Sequence, residues 1–217
     1  EGVYDKNIFK AFFLAGGPCS GKSWVSAKTL MGQGMKVINS DDGFERYAKN
    51  AGLNLKKMGS FTAAQTKKKD ALRSRAKVGT AYMHQHAIDG RLGMIMDSTA
   101  RDTARIESEA QSMRYLGYDT YMVFVNTTLE VALKRNEMRP RSVPEPIVIN
   151  SHRQIQKNIP KLRAIFGSKN FVEVDNSVEA EDVNIKVYKE IQKLVRSKPT
   201  SPMAQAWIDN ELAKKRR

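Results

Sequence analysis

The sequence predicts an α/β protein, a three-layer sandwich built on a five-stranded parallel sheet. Three observations predict it: five short apolar runs recur along the chain, stretches with helical spacing separate them, and a glycine-rich turn succeeds the first run. The runs cover 8–15, 35–39, 92–96, 121–125 and 171–174. Each is rich in Val, Ile, Phe or Met and lacks polar alternation, as strands buried on both faces do. Helical stripes lie between them. Leu72, Ala76, Gly79, Met83 and Ala87 form one, Ile155, Ile159, Leu162 and Ile165 a second, and Val183, Val187, Ile191 and Leu194 a third. Strands that alternate with helices connect by right-handed crossovers and pair in parallel.

Composition narrows the class. The 217 residues carry 37 Lys and Arg against 23 Asp and Glu, a net charge of +14. This length suits one domain, expected over 1–197, with a basic tail over 198–217. Apolar content of 41% and charged content of 28% exclude a largely disordered chain. The single cysteine, Cys19, excludes an internal disulfide and a cysteine-cluster zinc site, and it points to a reducing, cytoplasmic compartment. No apolar run approaches the roughly 18 residues of a membrane span. The positive balance favours a polyanionic partner such as nucleic acid. Its densest stretch carries Lys67, Lys68, Lys69, Arg73, Arg75 and Lys77, which marks a nucleic-acid track. The tail breaks at Pro199 and Pro202 and ends in Lys214, Lys215, Arg216 and Arg217, so it reads as an appendage with a short, frayed basic helix.

The turn after the first run is Gly16, Gly17, Pro18, Cys19, Ser20, Gly21, Lys22 and Ser23, a full match to G-x-x-x-x-G-K-[ST] between a strand and a helix. Small residues let successive backbone N–H groups turn inwards onto phosphate oxygens, with the positive end of the next helix behind them. Lys22 reaches the β- and γ-phosphates and the Ser23 hydroxyl is a ligand for Mg²⁺. Cys19 has a steric role there. A P-loop implies ATP, and the residues at the other strand ends select the reaction. The third strand ends at Asp97, placed to hold Mg²⁺ or its water, and Ser98 stands where a motor would carry a water-activating glutamate. No N-K-x-D base-recognition signal is present. The kinase class is favoured over motors and switches.

The second strand ends in Asp41 and Asp42 at the crevice that carboxyl ends of parallel strands share. Asp41 is the expected general base for an attacking hydroxyl, and Asp42 the cap of the helix beginning near Phe44. Beyond the fourth strand come Arg135, Arg139 and Arg141 with prolines, a helix end that runs into a stiff lid over about 139–160. Arg135 and Arg139 share a helix face and fork onto donor phosphates, neutralising charge during transfer. His84 and His86 stand two apart and point to different faces, so they form no metal pair, and His152 stands alone.

Together the loop from Gly16 to Ser23, the run from Val37 to Asp42, the run from Met96 to Thr99 and the run from Leu133 to Arg139 resemble the 5′-kinase domain of phage-type polynucleotide kinases. The related zeta-toxin-like kinases share the plan. The resemblance implies a nucleotide-kinase-like P-loop fold with an arginine-bearing lid. Asp41 falls on the general base, Lys22 and Ser23 on the P-loop pair, Arg139 on the lid arginine, Asp97 on the acidic strand end and Thr99 near the acceptor. It also leans towards a phage or bacterial cytoplasm. In the polynucleotide kinases an acceptor-binding arginine comes closely after the Asp pair, whereas Gly43 and Phe44 stand here and the first arginine is Arg46. No D-x-D-x-T phosphatase motif is present. Three readings result: a polynucleotide 5′-hydroxyl kinase first, a kinase of a small sugar-nucleotide or other hydroxyl compound second, and a nucleic-acid-binding ATP switch third. Asp175, Asn176 and Ser177, after the last strand, are the expected adenine region.

Overall fold

The computed structural model describes residues 2–30, 32–138, 143–178 and 181–216. All five expected strands form: β1 (Lys10–Gly16), β2 (Lys36–Ile38), β3 (Met94–Asp97), β4 (Asp119–Asn126) and β5 (Phe171–Asp175). They pair in parallel in the order β2-β3-β1-β4-β5. The register sets Leu14 beside Asp97 and Gly16 beside Val125, so the glycine loop and the acidic end of β3 emerge at the same edge of the sheet.

Alternate residues of each strand face opposite layers, and both layers are covered. Ala11, Phe13, Met122 and Phe124 pack with α4 (Thr103–Tyr115) and α6 (Glu145–Phe166) through Ile106, Met113, Ile155, Leu162 and Phe166. On the other face Phe12, Leu14, Val123, Val125 and Val174 meet Val25 of α1 (Lys22–Thr29) and Val187, Ile191 and Val195 of α7 (Glu181–Arg196). Two-sided burial is why these strands read as unbroken apolar runs.

Helix α3 (Ala63–Asp89) departs from its expected stripe. Ala76 and Ala87 are buried, but Met83 is 40% exposed and Gly79 lies at the surface. The reason is position: α3 packs on α2 (Asp41–Asn50) and on the edge strand β2, and so overhangs the sheet. A capping box starts it, with Thr62 Oγ1 accepting from the Gln65 N–H at 3.2 Å and Gln65 Oε1 accepting from the Thr62 N–H at 2.9 Å.

The segment after Lys198, expected as an appendage, forms α8 (Pro202–Lys215) and packs on the core. Ala204 is fully buried and the Trp207 ring meets Phe9 edge-on at 5.6 Å. The connection is pinned beneath the sheet by Lys10, whose Nζ donates to Asp119 Oδ2 at 2.8 Å and to Ser197 Oγ at 3.0 Å. The lid expected over 139–160 divides. Residues 139–142, with Arg139 and Arg141, lie outside the described residues, and from Glu145 the chain belongs to α6, where Val148, Ser151 and Ile155 are buried. No helix among the described residues is long and apolar enough to cross a membrane.

Candidate active site

The glycine loop joins β1 to α1 with Lys22 as the first helical residue and Ser23, exposed, as the second. Its glycines are there for close approach. A Cβ on Gly16 would lie 2.6 Å from Ser20 Oγ and from the Val125 carbonyl oxygen. Gly21 sits at φ +87° with its α-carbon against the Asn176 amide, where a side chain would collide. Cys19 adopts φ +60°, uncommon for a residue with a Cβ, and its Sγ lies 3.7 Å from Asn136 Oδ1.

Three side chains brace this loop. Asn176, 5% exposed, donates from Nδ2 to the Ser20 carbonyl at 2.8 Å. Asn136, at the end of α5 (Leu129–Glu137), also accepts from the Val143 N–H at 2.9 Å and donates to the Val143 carbonyl at 2.7 Å. It therefore ties the glycine loop to the start of the chain entering α6. Arg135, one residue earlier, brings its guanidinium to the Gly21 side of the loop, and its Nη1 is buried without a hydrogen-bond partner. Ser20 Oγ is in the same condition. Buried donors without acceptors, beside a cradle of small residues at a helix N-terminus, fit an anionic group such as a nucleotide phosphate.

Lys22 also lines a cleft of about 690 Å³ that runs between α3 and α4 past the ends of β2 and β3. Asp41 and Asp97 line it too, as does Thr99, whereas Asp42 and Arg46 do not. The expected division of the acidic pair needs correcting. Ser40 occupies the N-cap of α2 without a side-chain bond, and Asp41 and Asp42 both lie in the first turn, so Asp42 is not the cap. Asn39 fills the gap: its Oδ1 accepts from the Asp41 N–H at 2.8 Å and its Nδ2 donates to Asp97 Oδ2 at 3.1 Å. One amide thus aligns the ends of β2 and β3. Desolvation raises the Asp97 carboxyl above the usual range, Lys22 opposes this, and Asp41 and Asp42 add to it.

The remaining wall takes Arg73 and Lys77 from the expected nucleic-acid track and adds residues that the sequence did not single out for it. Arg73 reaches Asp41 Oδ1 at 3.4 Å and lies over the Phe44 ring at 5.2 Å. Lys77, Thr80 and His84 continue the same face of α3 into the cleft, opposite Arg105 and Glu109 of α4. Arg46 instead sits over Tyr47, as does Arg75. Burial lowers the pKa of His84, with Glu109 pulling it upward to a lesser extent, so the ring favours its neutral form. His152, expected to stand alone, places Nε2 at 2.9 Å from the Thr127 carbonyl. Asn158 braces the β3–α4 loop by donating to the carbonyls of Ala100 and Arg101 at 3.0 and 2.9 Å. Among the described residues no cluster of three or more His, Cys, Asp or Glu side chains could hold a metal by itself.

Solved structures share this fold at low identity. The PezAT chromosomal toxin–antitoxin system of Streptococcus pneumoniae matches at 16% identity and a TM-score of 0.56, over 86% of this chain and 83% of that one. The AvrRxo1-ORF1:AvrRxo1-ORF2 complex matches at 17% identity and a TM-score of 0.56, over 82% of this chain and 63% of that one. A protein from Chloroflexus aurantiacus matches at 15% identity and a TM-score of 0.52, over 86% and 97%. No curated protein matches the sequence. The model of the Zeta toxin family matches residues 6–199, which carry the whole sheet and the cleft, and the chain belongs to that family of P-loop kinases.

Proposed function

We propose that the protein is an ATP-dependent kinase that passes the γ-phosphoryl group to a hydroxyl of a compact acceptor held between α3 and α4. The observation that carries this reading is that Lys22, on the phosphate loop, lines one cleft with Asp41 and Asp97. Donor phosphate and acceptor hydroxyl would meet there. Asp41 would take the hydroxyl proton as the oxygen attacks the γ-phosphorus and the bond to the β-phosphate oxygen breaks, releasing ADP. Lys22, Arg135 and Arg139 would neutralise the phosphoryl oxygens through a loose transition state. Ser23 and Asp97 would hold Mg²⁺, directly or through water, and the ion would supply charge stabilisation at the β- and γ-oxygens. Arg73 beside Asp41 is no obstacle, because the two groups are about half-exposed and 3.4 Å apart, a weak pair that an acceptor can displace.

A polynucleotide 5′-hydroxyl, the first reading on the sequence alone, becomes the second here and is favoured by the charge of +14. Its proposed track is partly engaged within the chain, since Lys68 donates to the Ala51 carbonyl at 2.9 Å and Lys69 pairs with Asp70 at 3.0 Å. Labelled ATP offered with glucose 6-phosphate, UDP-glucose and a single-stranded oligonucleotide bearing a free 5′-hydroxyl tests both readings. Label on a small compound is expected. Label on the oligonucleotide alone, with a KM that climbs between about 50 and 200 mM salt, would transfer the case to the second reading.

A further inference from the structure

The cleft-facing side of α3 carries Arg73, Lys77, Thr80 and His84, at steps of four, three and four, so all four lie on one helical face. Most polar groups along the cleft are already engaged. Arg73 holds Asp41, Thr80 Oγ1 donates to the Ala76 carbonyl at 3.0 Å, and Arg105 Nε donates to Glu109 Oε1 at 2.8 Å. Two are not. Lys77 has neither an ion pair nor a hydrogen bond among the described residues, and His84 Nε2 is buried with no partner. Folding normally satisfies a buried ring nitrogen, and because the His84 ring lines the cleft, a ligand that enters there can supply the missing partner.

We propose that Lys77 and His84 are the specificity-determining contacts for the acceptor, Lys77 holding an anionic group and His84 Nε2 hydrogen-bonding a hydroxyl remote from the one that is phosphorylated. This rests on the kinase reading above. At 1.5 Å per residue, His84 stands about 16 Å along the helix from Arg73 and the transfer point, and about 10 Å from Lys77. The reacting hydroxyl therefore lies at one end of the acceptor and the group read by His84 at the other. A hydroxyl suits Nε2 in either neutral tautomer, because it both donates and accepts. Glu109, on the facing wall, offers an acceptor oxygen to the same part of the ligand. The implied class is a polyhydroxy compound carrying a phosphate or carboxylate, with an anion placed between its two hydroxyl ends. A cleft of about 690 Å³ has the size of a small-molecule site.

The test measures steady-state transfer from labelled ATP by the full chain, using glucose 6-phosphate, UDP-glucose, free glucose and the 5′-hydroxyl oligonucleotide. For the best small acceptor, His84→Phe is expected to raise the acceptor KM by about 3- to 10-fold, the worth of one uncharged hydrogen bond. His84→Gln, which keeps a polar terminus, should recover part of it. Lys77→Met should raise KM at least about 10-fold for the anionic acceptors and leave any transfer to free glucose unchanged. In each variant the KM for ATP should stay within about twofold, and matching melting curves exclude a folding defect. Transfer by the wild type with an unchanged acceptor KM in both His84→Phe and Lys77→Met overturns this assignment while the kinase reading stands. A parallel rise in the ATP KM also overturns it, because the residues would then support the site as a whole. Transfer by the wild type to none of the four compounds overturns the kinase reading, and this assignment with it.

Discussion

The Lys10 cluster at one end of the sheet and the phosphate loop at the other treat buried polar groups in opposite ways. At the amino end Lys10 is completely buried, and its ammonium is shared among Asp119 Oδ2 at 2.8 Å, Ser197 Oγ at 3.0 Å and the Tyr121 hydroxyl at 3.2 Å. Asp119 in turn accepts from the Thr200 N–H at 3.2 Å. At the carboxyl end Ser20 Oγ, Thr127 Oγ1 and Arg135 Nη1 are buried with no partner, and His84 Nε2 is equally bare along the cleft. Asn7 Oδ1, just before β1, and Gln192 Nε2, on α7, are also unpartnered, so the contrast lies between the Lys10 cluster and the phosphate loop and does not extend to every buried polar group. A buried charge that the chain satisfies fully is there to hold elements together. Donors left open around a phosphate cradle await partners from outside, which is the kind of local inconsistency that functional sites carry.

The largest expected effect breaks the open end alone. Lys22→Ala should lower phosphoryl transfer by about 10³-fold or more, since electrostatic clamping is the main contribution in this chemistry. Its melting temperature should match the wild type, because Lys22 lies at the site and outside the core. Wild-type turnover in this variant, measured by label transfer with ATP and Mg²⁺, would remove the kinase reading.

The mirror experiment breaks the closed end. Lys10→Met strands Asp119, whose side chain is only 9% exposed, without its counter-charge. Breaking a buried pair this way costs about 3–5 kcal/mol, so the denaturant midpoint should fall sharply while kcat of the folded enzyme holds. A drop in kcat at unchanged stability would mean that the two ends are coupled. Asp41→Asn comes next at the open end. Removing a general base costs about 10²–10⁴ in rate, and kcat should fall by that range with the ATP KM nearly unchanged. Full activity in Asp41→Asn would move the base to Asp42, which does not line the cleft, or remove it from the mechanism.

Legibility in the sequence depended on how local each signal is. The strands were legible because two-sided burial writes an unbroken apolar run, and the phosphate loop because eight consecutive residues carry its chemistry. Asp41 and Asp97 were legible from their places at strand ends. The cleft wall was legible only through Arg73 and Lys77, which were expected on a nucleic-acid track and not in a cleft. Periodicity along α3 pointed to Leu72, Ala76, Gly79, Met83 and Ala87, but spacing cannot say which face of an overhanging helix looks onto a cavity. The spacing of His84 from His86 speaks only against a metal pair, whereas its place beside Arg105 and Glu109 in one cleft comes from the packing of another helix. The Ser40 cap displaced the one assigned to Asp42 because Asn39, one residue earlier, anchors the entry to α2. The docking of α8 rests on Trp207 against Phe9, nearly two hundred residues apart, and no local pattern announces it.

The smallest expected effect concerns pH and sharpens the view of His84 as a group that the fold keeps neutral and open. Burial holds its folded pKa below 6.5, and Glu109 opposes that shift. The charged groups lining the same cleft are Arg73 and Lys77 from α3, Asp102, Arg105 and Glu109 from α4, and Lys22, Asp41 and Asp97 at the strand ends. Proton counting gives the sign. As pH falls through about 6.5 the unfolded chain takes up a proton at this position before the folded chain does. Stability should therefore decline on acidification from that point until the folded imidazole also protonates. Melting curves of wild type and His84→Gln between about pH 7.5 and 5.5 isolate the contribution, because the carboxylates that titrate in both proteins cancel. The wild type should lose more stability than the variant over that range. Equal losses would show that burial of this ring carries no penalty for its charged form, and His84 would then resemble an ordinary surface histidine.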